Sequence, residues 1–332
     1  MVTARELVLS RRPEGRIDPG CFTLVQRKLP ALSPGQLHVR ADCFSVDPSM
    51  IPRLSADTYA PAFGLGAAVE ARAVGQVMQS TAEGWAEGDW AVCWAGWRDH
   101  AVVEASQAIR IQPRSGLPPH TWLHVLGVPG LTAYIGLIEV ARMQPGDRVW
   151  VSAAAGAVGS VAAQLARARG ASLVIGSAGG ADKARYLTDT LGLDAAVDYR
   201  AGDLVGQLRE VAPEGIDLYF DNVGGDHLEA AIDLLRTDGR AAICGMISGY
   251  GRPPASAPCN LTQLIIKRLR LEGFLVLDHL HRRAAFEEQV LPLVEDGILH
   301  SEVTIFDGLE SAPQALLSLL DGAKLGKALV RP

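Results

Sequence analysis

The chain has 332 residues, 48% hydrophobic and 20% charged, with 35 glycines; the length suits two medium domains, and the composition excludes disorder over most of it. A net charge of −6 gives no cationic footprint for nucleic acid, whose binding rests on Lys and Arg neutralising phosphates. No run approaches the ~20 apolar residues of a membrane helix, and the N-terminal stretch lacks the apolar segment of a secretory signal.

From Thr3 to about Gln112 the pattern is short alternating runs punctuated by Pro and Gly, among them residues 21–25, 37–40 and 90–94, which reads as β-rich and turn-rich. Residues 84–89 form a turn feeding a strand, residues 113–119 mark a boundary, and from about Trp122 the period changes. A helix of small and apolar residues opens at Val128, residues 144–147 turn the chain, and 148–153 make a buried strand. Then follow a helix over 158–169, a strand over 172–176, a helix over 182–191 and strands over 195–198 and 216–221. A helix over 227–235 and strands over 239–246 and 271–276 complete the series. Strands separated by helices of ~10–15 residues mean β-α-β units and a parallel sheet. The residues after about Gly297 are too few for a third domain, so the expected division is 123–297 against 1–122 with 298–332.

The strand ending at Ala153 runs into Ala154-Ala155-Gly156-Ala157-Val158-Gly159-Ser160 and then a helix. That is the context of a dinucleotide-binding fingerprint, with Ala154 in the place of its first glycine. Gly156 would let the backbone approach a pyrophosphate, Gly159 would let helix and strand pack closely, and the helix N-terminus would offer N–H groups and its positive dipole end. The competing reading is of small residues where a helix crosses a strand. An NAD-specific domain carries an acid at the end of the next strand to accept from the ribose 2′-hydroxyl. Here that strand ends Ile175-Gly176-Ser177-Ala178-Gly179-Gly180, with Lys183 and Arg185 following, which suits a 2′-phosphate. Lys183 as a solvated charge on a first helical turn is the alternative.

Other chemistries find little support. No G-x-S-x-G elbow occurs. The five cysteines, Cys21, Cys43, Cys93, Cys244 and Cys259, form no C-x-x-C pair and have no histidine at metal spacing, so neither a zinc lobe nor a disulfide framework is drawn, and a cytoplasmic setting is expected. His279 and His281 are the one tight histidine pair, but i and i+2 do not share a helix face, so they read as surface residues and no metal site is expected.

Six segments occur in order: Val46-Asp47-Pro48-Ser49-Met50, Val128-Pro129-Gly130-Leu131-Thr132-Ala133-Tyr134, the Ala153-to-Ser160 turn, Phe220-Asp221-Asn222-Val223-Gly224-Gly225, Ile243-Cys244-Gly245-Met246-Ile247-Ser248 and Leu325-Gly326-Lys327. Together they resemble, over nearly the whole chain, the zinc-independent branch of the medium-chain dehydrogenase/reductase superfamily, particularly the prostaglandin reductases, plant alkenal double-bond reductases and bacterial curcumin reductases. The resemblance implies an α/β fold, a doubly wound Rossmann sheet domain plus a β-rich GroES-like catalytic domain. It implies a homodimer that uses NADPH to reduce the double bond of α,β-unsaturated ketones or aldehydes. The family's cofactor contacts fall on Ala157, Val158, Gly159 and Ser160 at the pyrophosphate turn, on Lys183 and Tyr199 at the adenosine phosphate, and on Asn222 beside the ribose. The loop from Cys244, Gly245, Ile247 and Ser248 to Tyr250 is implied as well, and Phe274, Leu275 and Val276 would line the nicotinamide. Plainer alternatives are a turn asparagine at Asn222, a half-buried core ring at Tyr199 and a loop aromatic at Tyr250.

Three positions depart from the family pattern. Ser49 replaces the tyrosine of D-P-Y-M, Ile266 stands where many members carry a tyrosine ahead of Lys267-Arg268, and Lys324 replaces the asparagine before L-G-K, as a cation for phosphate or carboxylate. With both usual phenols gone, Tyr250 is the candidate catalytic residue, against a water held by the ribose hydroxyls. Zinc-dependent alcohol oxidation would need a G-H-E segment where the chain has Gly66-Ala67-Ala68-Val69-Glu70. Quinone reduction and a non-catalytic NADPH-binding relative remain as rivals. Trp94, Trp97 and residues 49–59 are expected around the substrate.

Overall fold

Apolar side chains at alternate positions, broken by Gly and Pro, make short strands of the first hundred residues: β1 (Thr3–Leu9), β2 (Phe22–Lys28), β3 (Gln36–Ser45), β4 (Ala73–Ser80), β5 (Trp90–Cys93), β6 (His100–Glu104) and β7 (Ile109–Ile111), with one short helix, α1 (Met50–Arg53). The computed structural model describes residues 2–15, 17–112, 114, 116–250, 257–322 and 324–332. Two units result, Met1–His124 with Val303–Pro332, and Val125–Glu302. The boundary expected at 113–119 lies partly outside the described residues, at Pro113 and Ser115. In the first unit Trp97 is fully buried, its ring 5.4 Å from Phe22 and 6.2 Å from Phe44. It is therefore a core residue of that unit, a correction to the pocket role expected of it.

The second unit contains α2 (Val128–Tyr134), β8 (Arg148–Val151), α3 (Ala157–Ala168), β9 (Leu173–Ala178), α4 (Ala181–Arg185), β10 (Ala195–Asp198), α5 (Leu204–Val211), β11 (Ile216–Asp221), α6 (Gly225–Leu234), β12 (Leu235–Ile243), α7 (Thr262–Lys267), β13 (Arg270–Gly273) and α8 (Arg283–Glu295). Its six strands are all parallel, in the order β10-β9-β8-β11-β12-β13. This is the doubly wound Rossmann order, and it reverses direction between β8 and β11, the switch point where such sheets bind ligands at their carboxyl edge. A core of Trp150, Ile175, Val197, Leu208, Tyr219, Leu228 and Ile232 fills one face of the sheet.

Several expected elements change length for visible reasons. β12 ends at Ile243 because the amides of Cys244 and Gly245 turn to the carbonyl of Asp221, at 2.8 and 3.0 Å. β13 ends at Gly273, and Val276–Arg282 coils into 3-10 turns instead of extending it. The helix expected over 182–191 is regular only in α4, after which Tyr186–Thr190 widens into a π turn. Helices α5, α7 and α8 were not expected. α5 carries a readable signal in the Asp203 cap, which accepts from the Gly206 amide at 3.0 Å, whereas α8 holds Pro292 in its last turns and so resembles a break.

The chain then returns to the first unit with β14 (Val303–Asp307), α9 (Ala312–Leu320) and β15 (Lys327–Arg331). β15 pairs parallel with β14 and antiparallel with β3, completing a seven-stranded sheet. Lys327, 1% exposed, donates to Asp47 Oδ1 at 2.8 Å and to the Val46 carbonyl at 2.7 Å. The two short motifs around Asp47 and Lys327 are thus one ion pair whose ammonium is buried and whose carboxylate is partly exposed, and removing Asp47 would strand a buried charge.

Candidate cofactor site

The carboxyl edge of the six-stranded sheet is built around the turn from β8 into α3. Ala153 takes a left-handed conformation there, φ +48°, a strain that alanine seldom bears. A Cβ on Gly159 would lie 2.3 Å from the Ala153 carbonyl oxygen, so only glycine lets α3 approach the strand this closely. Among the described residues no side chain caps α3, and its first turn faces the edge with the helix dipole behind it. The Ser160 hydroxyl is buried beneath it without a hydrogen-bond partner among the described residues. A helix N-terminus brought close to the strand end by Gly159, with the buried Ser160 hydroxyl behind it, fits a pyrophosphate.

On one side of this turn lie the tips of β9 and β10. Asp198 Oδ1 accepts from the amides of Gly180 and Arg200, at 2.7 and 3.0 Å, so this carboxylate is directed to backbone and ties the two tips together. A Cβ on Gly179 would sit 2.7 Å from Tyr199 Oη and 2.8 Å from Arg200 Nε, which places phenol and guanidinium directly over the Gly179 backbone. Burial, and next the positive charge of Arg200, pull the Lys183 ammonium below its usual range. Three hydrogen-bond donors, two of them cationic, therefore converge where an NAD-specific domain would carry an acid. Arg185, which the sequence offered, is paired instead with Asp182. Arg200 is the cation that sequence reasoning missed, although it directly follows Tyr199.

The other side is the tips of β11 and β12, where Asp221 organises three segments. Its Oδ1 accepts from the Tyr219 hydroxyl at 2.7 Å, from the Val223 and Gly224 amides at 2.9 Å and from Ser152 Oγ at 3.3 Å. Its Oδ2 is buried without a partner among the described residues. Burial holds the carboxyl above its usual range although these donors oppose the shift. The Asn222 amide donates to Ser152 Oγ at 2.9 Å, and its Nδ2 donates to the Ser152 carbonyl at 2.8 Å. The Asn222 and Val223 carbonyls accept from the Ile247 and Ser248 amides, and Ser248 Oγ donates to Val223 at 2.6 Å. Beside Asp221, burial pushes the Cys244 thiol up to about 12, so it stays a neutral thiol. Tyr250 is half-buried, its Oη 3.8 Å from where a Cβ on Gly245 would lie; its flank Gly251 lies outside the described residues.

Aromatic rings join the two sides beneath the edge. Tyr199 meets His227 edge-on at 5.2 Å, His227 stacks on Trp150 at 5.9 Å, and Trp150 lies 4.4 Å from Tyr219, whose hydroxyl reaches Asp221. His227 Nε2 is buried without a partner, and burial draws the imidazole down to about 4.

Of the residues expected from sequence, Ala157 to Ser160, Lys183, Tyr199, Asn222, Cys244, Gly245, Ile247, Ser248 and Tyr250 all lie on this edge of the second unit. Phe274 follows β13 with its ring against Phe220, 6.4 Å between centroids, and over Gly136; Leu275 and Val276 continue from it, half-buried. Lys324 belongs to the first unit, where its ammonium lies 4.6 Å over the Phe306 ring. Also in that unit, Trp94 is 46% exposed with Arg72 stacked on it, and Ser49 precedes α1 without capping it. Among the described residues no three His, Cys, Asp or Glu side chains gather as a metal site, and burial raises the Cys43 and Cys93 thiols to about 12.

Residues 157–296 match the family described as zinc-binding dehydrogenase, and residues 5–111 that described as N-terminal domain of oxidoreductase. The chain is 34% identical to the NADPH-dependent curcumin reductase of Escherichia coli (strain K12), over 98% of this chain and 96% of that protein. It is 37% identical to the 2-alkenal reductase (NADP(+)-dependent) of Nicotiana tabacum, over 86% of this chain and 84% of that one. The crystal structure of CurA from Vibrio vulnificus in complex with NADPH superposes with a TM-score of 0.91 at 35% identity, covering 98% of both chains.

Proposed function

The chain belongs to the medium-chain dehydrogenase/reductase superfamily, in its zinc-independent branch of double-bond reductases, and from that premise we propose that it reduces α,β-unsaturated ketones or aldehydes, with hydride arriving at the β-carbon. It is an NADPH-dependent oxidoreductase of activated carbon–carbon double bonds, with a Rossmann unit and a β-rich GroES-like unit. The observation that carries the finer reading is its near full-length likeness to a curcumin reductase and a 2-alkenal reductase.

NADPH, when bound, supplies the hydride. In this reading the α3 amides at Ala157, Val158 and Gly159 and the Ser160 hydroxyl hold the pyrophosphate, and Lys183 and Tyr199 hold the 2′-phosphate. Asn222, its Nδ2 committed to Ser152, offers Oδ1 to a ribose hydroxyl. Cys244, Gly245, Ile247, Ser248, Phe274, Leu275 and Val276 surround the nicotinamide, and Lys324 completes the set as a cation for phosphate or carboxylate. Asp221 acts by fixing the turns that carry them. Negative charge developing on the substrate carbonyl oxygen calls for a hydrogen-bond donor, and the α-carbon for a proton. Ser49 is too short to replace a phenol and Ile266 has no donor, so Tyr250 takes that role.

A homodimer belongs to the same proposal. β13 is the last strand of its sheet, its outer edge unpaired among the described residues, and Ile265 and Ile266 beside it are 80% and 59% exposed, features that favour association. A monomeric mass by sedimentation would remove this part. A reducing cytoplasmic setting is supported by five free cysteines, and no helix among the described residues is long and apolar enough to cross a membrane.

The decisive experiment follows NADPH consumption against a panel of enones, alkenals, quinones and alcohols. Turnover of enones and alkenals with a saturated carbonyl product is expected. Consumption with quinones alone, or with nothing, would replace the reading by one of its rivals.

A further inference from the structure

We infer that Arg200 is the second cation of the 2′-phosphate contact and, with Lys183, sets the preference for NADPH over NADH. The inference rests on the proposal that the adenosine phosphate binds at the tips of β9 and β10. Its starting observation is the position of the guanidinium, 2.8 Å from where a Cβ on Gly179 would lie and beside the Tyr199 hydroxyl at 2.7 Å from the same point. Gly179 is the residue directly after β9, where the ribose 2′ position is read in this type of sheet.

The backbone of Arg200 is fixed as well. Its amide and that of Gly180 share Asp198 Oδ1, so the loop after β10 is held against the loop after β9. Lys183 feels Arg200 closely enough for the guanidinium to lower its proton affinity. An anion placed between a guanidinium and an ammonium at a sheet tip is attracted by both. A planar guanidinium presents paired N–H groups that match two phosphate oxygens, whereas the Lys183 ammonium acts as a point charge. Arg185 does not compete for this role, since it pairs with Asp182 and is 70% exposed.

The test titrates NADPH, NADH and adenosine 2′,5′-bisphosphate into the full-length protein by calorimetry, for the wild type and for Arg200→Gln, Arg200→Lys and Lys183→Gln. Arg200→Gln should weaken NADPH and the bisphosphate by about 10- to 100-fold, as expected for a lost charge-assisted contact, with NADH affinity little changed. Arg200→Lys should recover part of the loss, because the charge returns without the fork. Wild-type binding of the bisphosphate by Arg200→Gln would overturn the inference, and so would an equal loss for NADH and NADPH. If Lys183→Gln alone removes the discrimination, the inference about Arg200 fails while the proposed subsite stands. If neither substitution changes it, both fail.

Discussion

Along one edge of the same sheet, the tips of β9 and β10 and the tips of β11 and β12 are built in opposite ways. The first carries cationic and phenolic side chains on a Gly-Gly backbone, with Tyr199 38% exposed and the Asp198 carboxylate turned to amides. The second buries a carboxylate completely and spends its hydrogen bonds on the protein itself, drawing Ser152, Val223 and Gly224 to one oxygen. Groups proposed to select among cofactors are thus kept replaceable and near solvent, while groups that set geometry are buried, where losing a partner is costly. Substitutions on the first side should change affinity with little change in folding; those on the second should change folding first.

The largest effect is expected at Asp221. Asp221→Ala leaves the Tyr219 hydroxyl and the Val223 and Gly224 amides unpaired in the interior, for a loss of roughly 3–5 kcal/mol. Asp221→Asn keeps an acceptor at Oδ1 and removes a buried charge, so it should stay within about 1 kcal/mol of wild type. Urea unfolding of both variants checks the pair; equal stability of Ala and Asn would show that the oxygen is not the organising atom.

Next is the response to acid. His227 titrates at about 4 in the folded chain against an ordinary 6.5, so the unfolded chain takes up this proton first. The stability tied to the neutral imidazole is present above about pH 6.5 and is lost as pH falls towards 4, on the order of 3 kcal/mol. His38, His100 and His120, also lowered by burial, add the same sign. Asp221, held above its usual range, works in the opposite sense. His227→Phe keeps a ring between Tyr199 and Trp150 and has nothing to protonate, so its unfolding free energy should fall less between pH 7 and pH 5. An identical slope in wild type and variant would contradict this.

How far sequence reaches differs between the two sides for the same reason. Gly159 belongs to a contiguous motif, Lys183 follows a readable strand tip, Tyr199 came with the family resemblance, and the parallel sheet followed from strand and helix alternation. Lateral relations were harder. The Trp150, Tyr219, His227 and Tyr199 ring series comes from four elements, and only the strand order places β8 beside β11. Part of the Asp221 network was nonetheless readable, because Tyr219 and Asp221 are two apart on one strand and share a face, as do Trp150 and Ser152 beside them. Arg200 was hidden by its unremarkable place in a loop, and Trp97 was misplaced because a tryptophan near an expected pocket and one in a core look alike in sequence.

Tyr250 tests the chemistry carried by the β11–β12 side. Tyr250→Phe should lower kcat for a reactive enone by about 10- to 100-fold, at or below the low end of acid catalysis, with NADPH affinity little changed. A kcat that stays at the wild-type value across the pH profile would assign the proton to solvent, and a tyrosine introduced by Ser49→Tyr would then be the informative gain-of-function variant.

The smallest and sharpest effect is expected at Gly179. Its φ is not in the left-handed region, so the backbone accepts alanine. The atoms that an added Cβ would meet, Tyr199 Oη and Arg200 Nε, are the far ends of side chains that can swing outward, so unfolding stability should change by no more than about 0.5 kcal/mol. The swing separates phenol and guanidinium from the tip of β9, and a loosened charge-assisted contact corresponds to roughly a 3- to 10-fold loss for NADPH. NADH, lacking the 2′-phosphate, should bind Gly179→Ala nearly as it binds the wild type. Calorimetric titration with both cofactors and a thermal melt of the free protein measure the three quantities together. A melting point several degrees lower with discrimination intact would mean that Gly179 serves packing as Gly159 does, and the contrast between the two sides of the edge would not hold at this position.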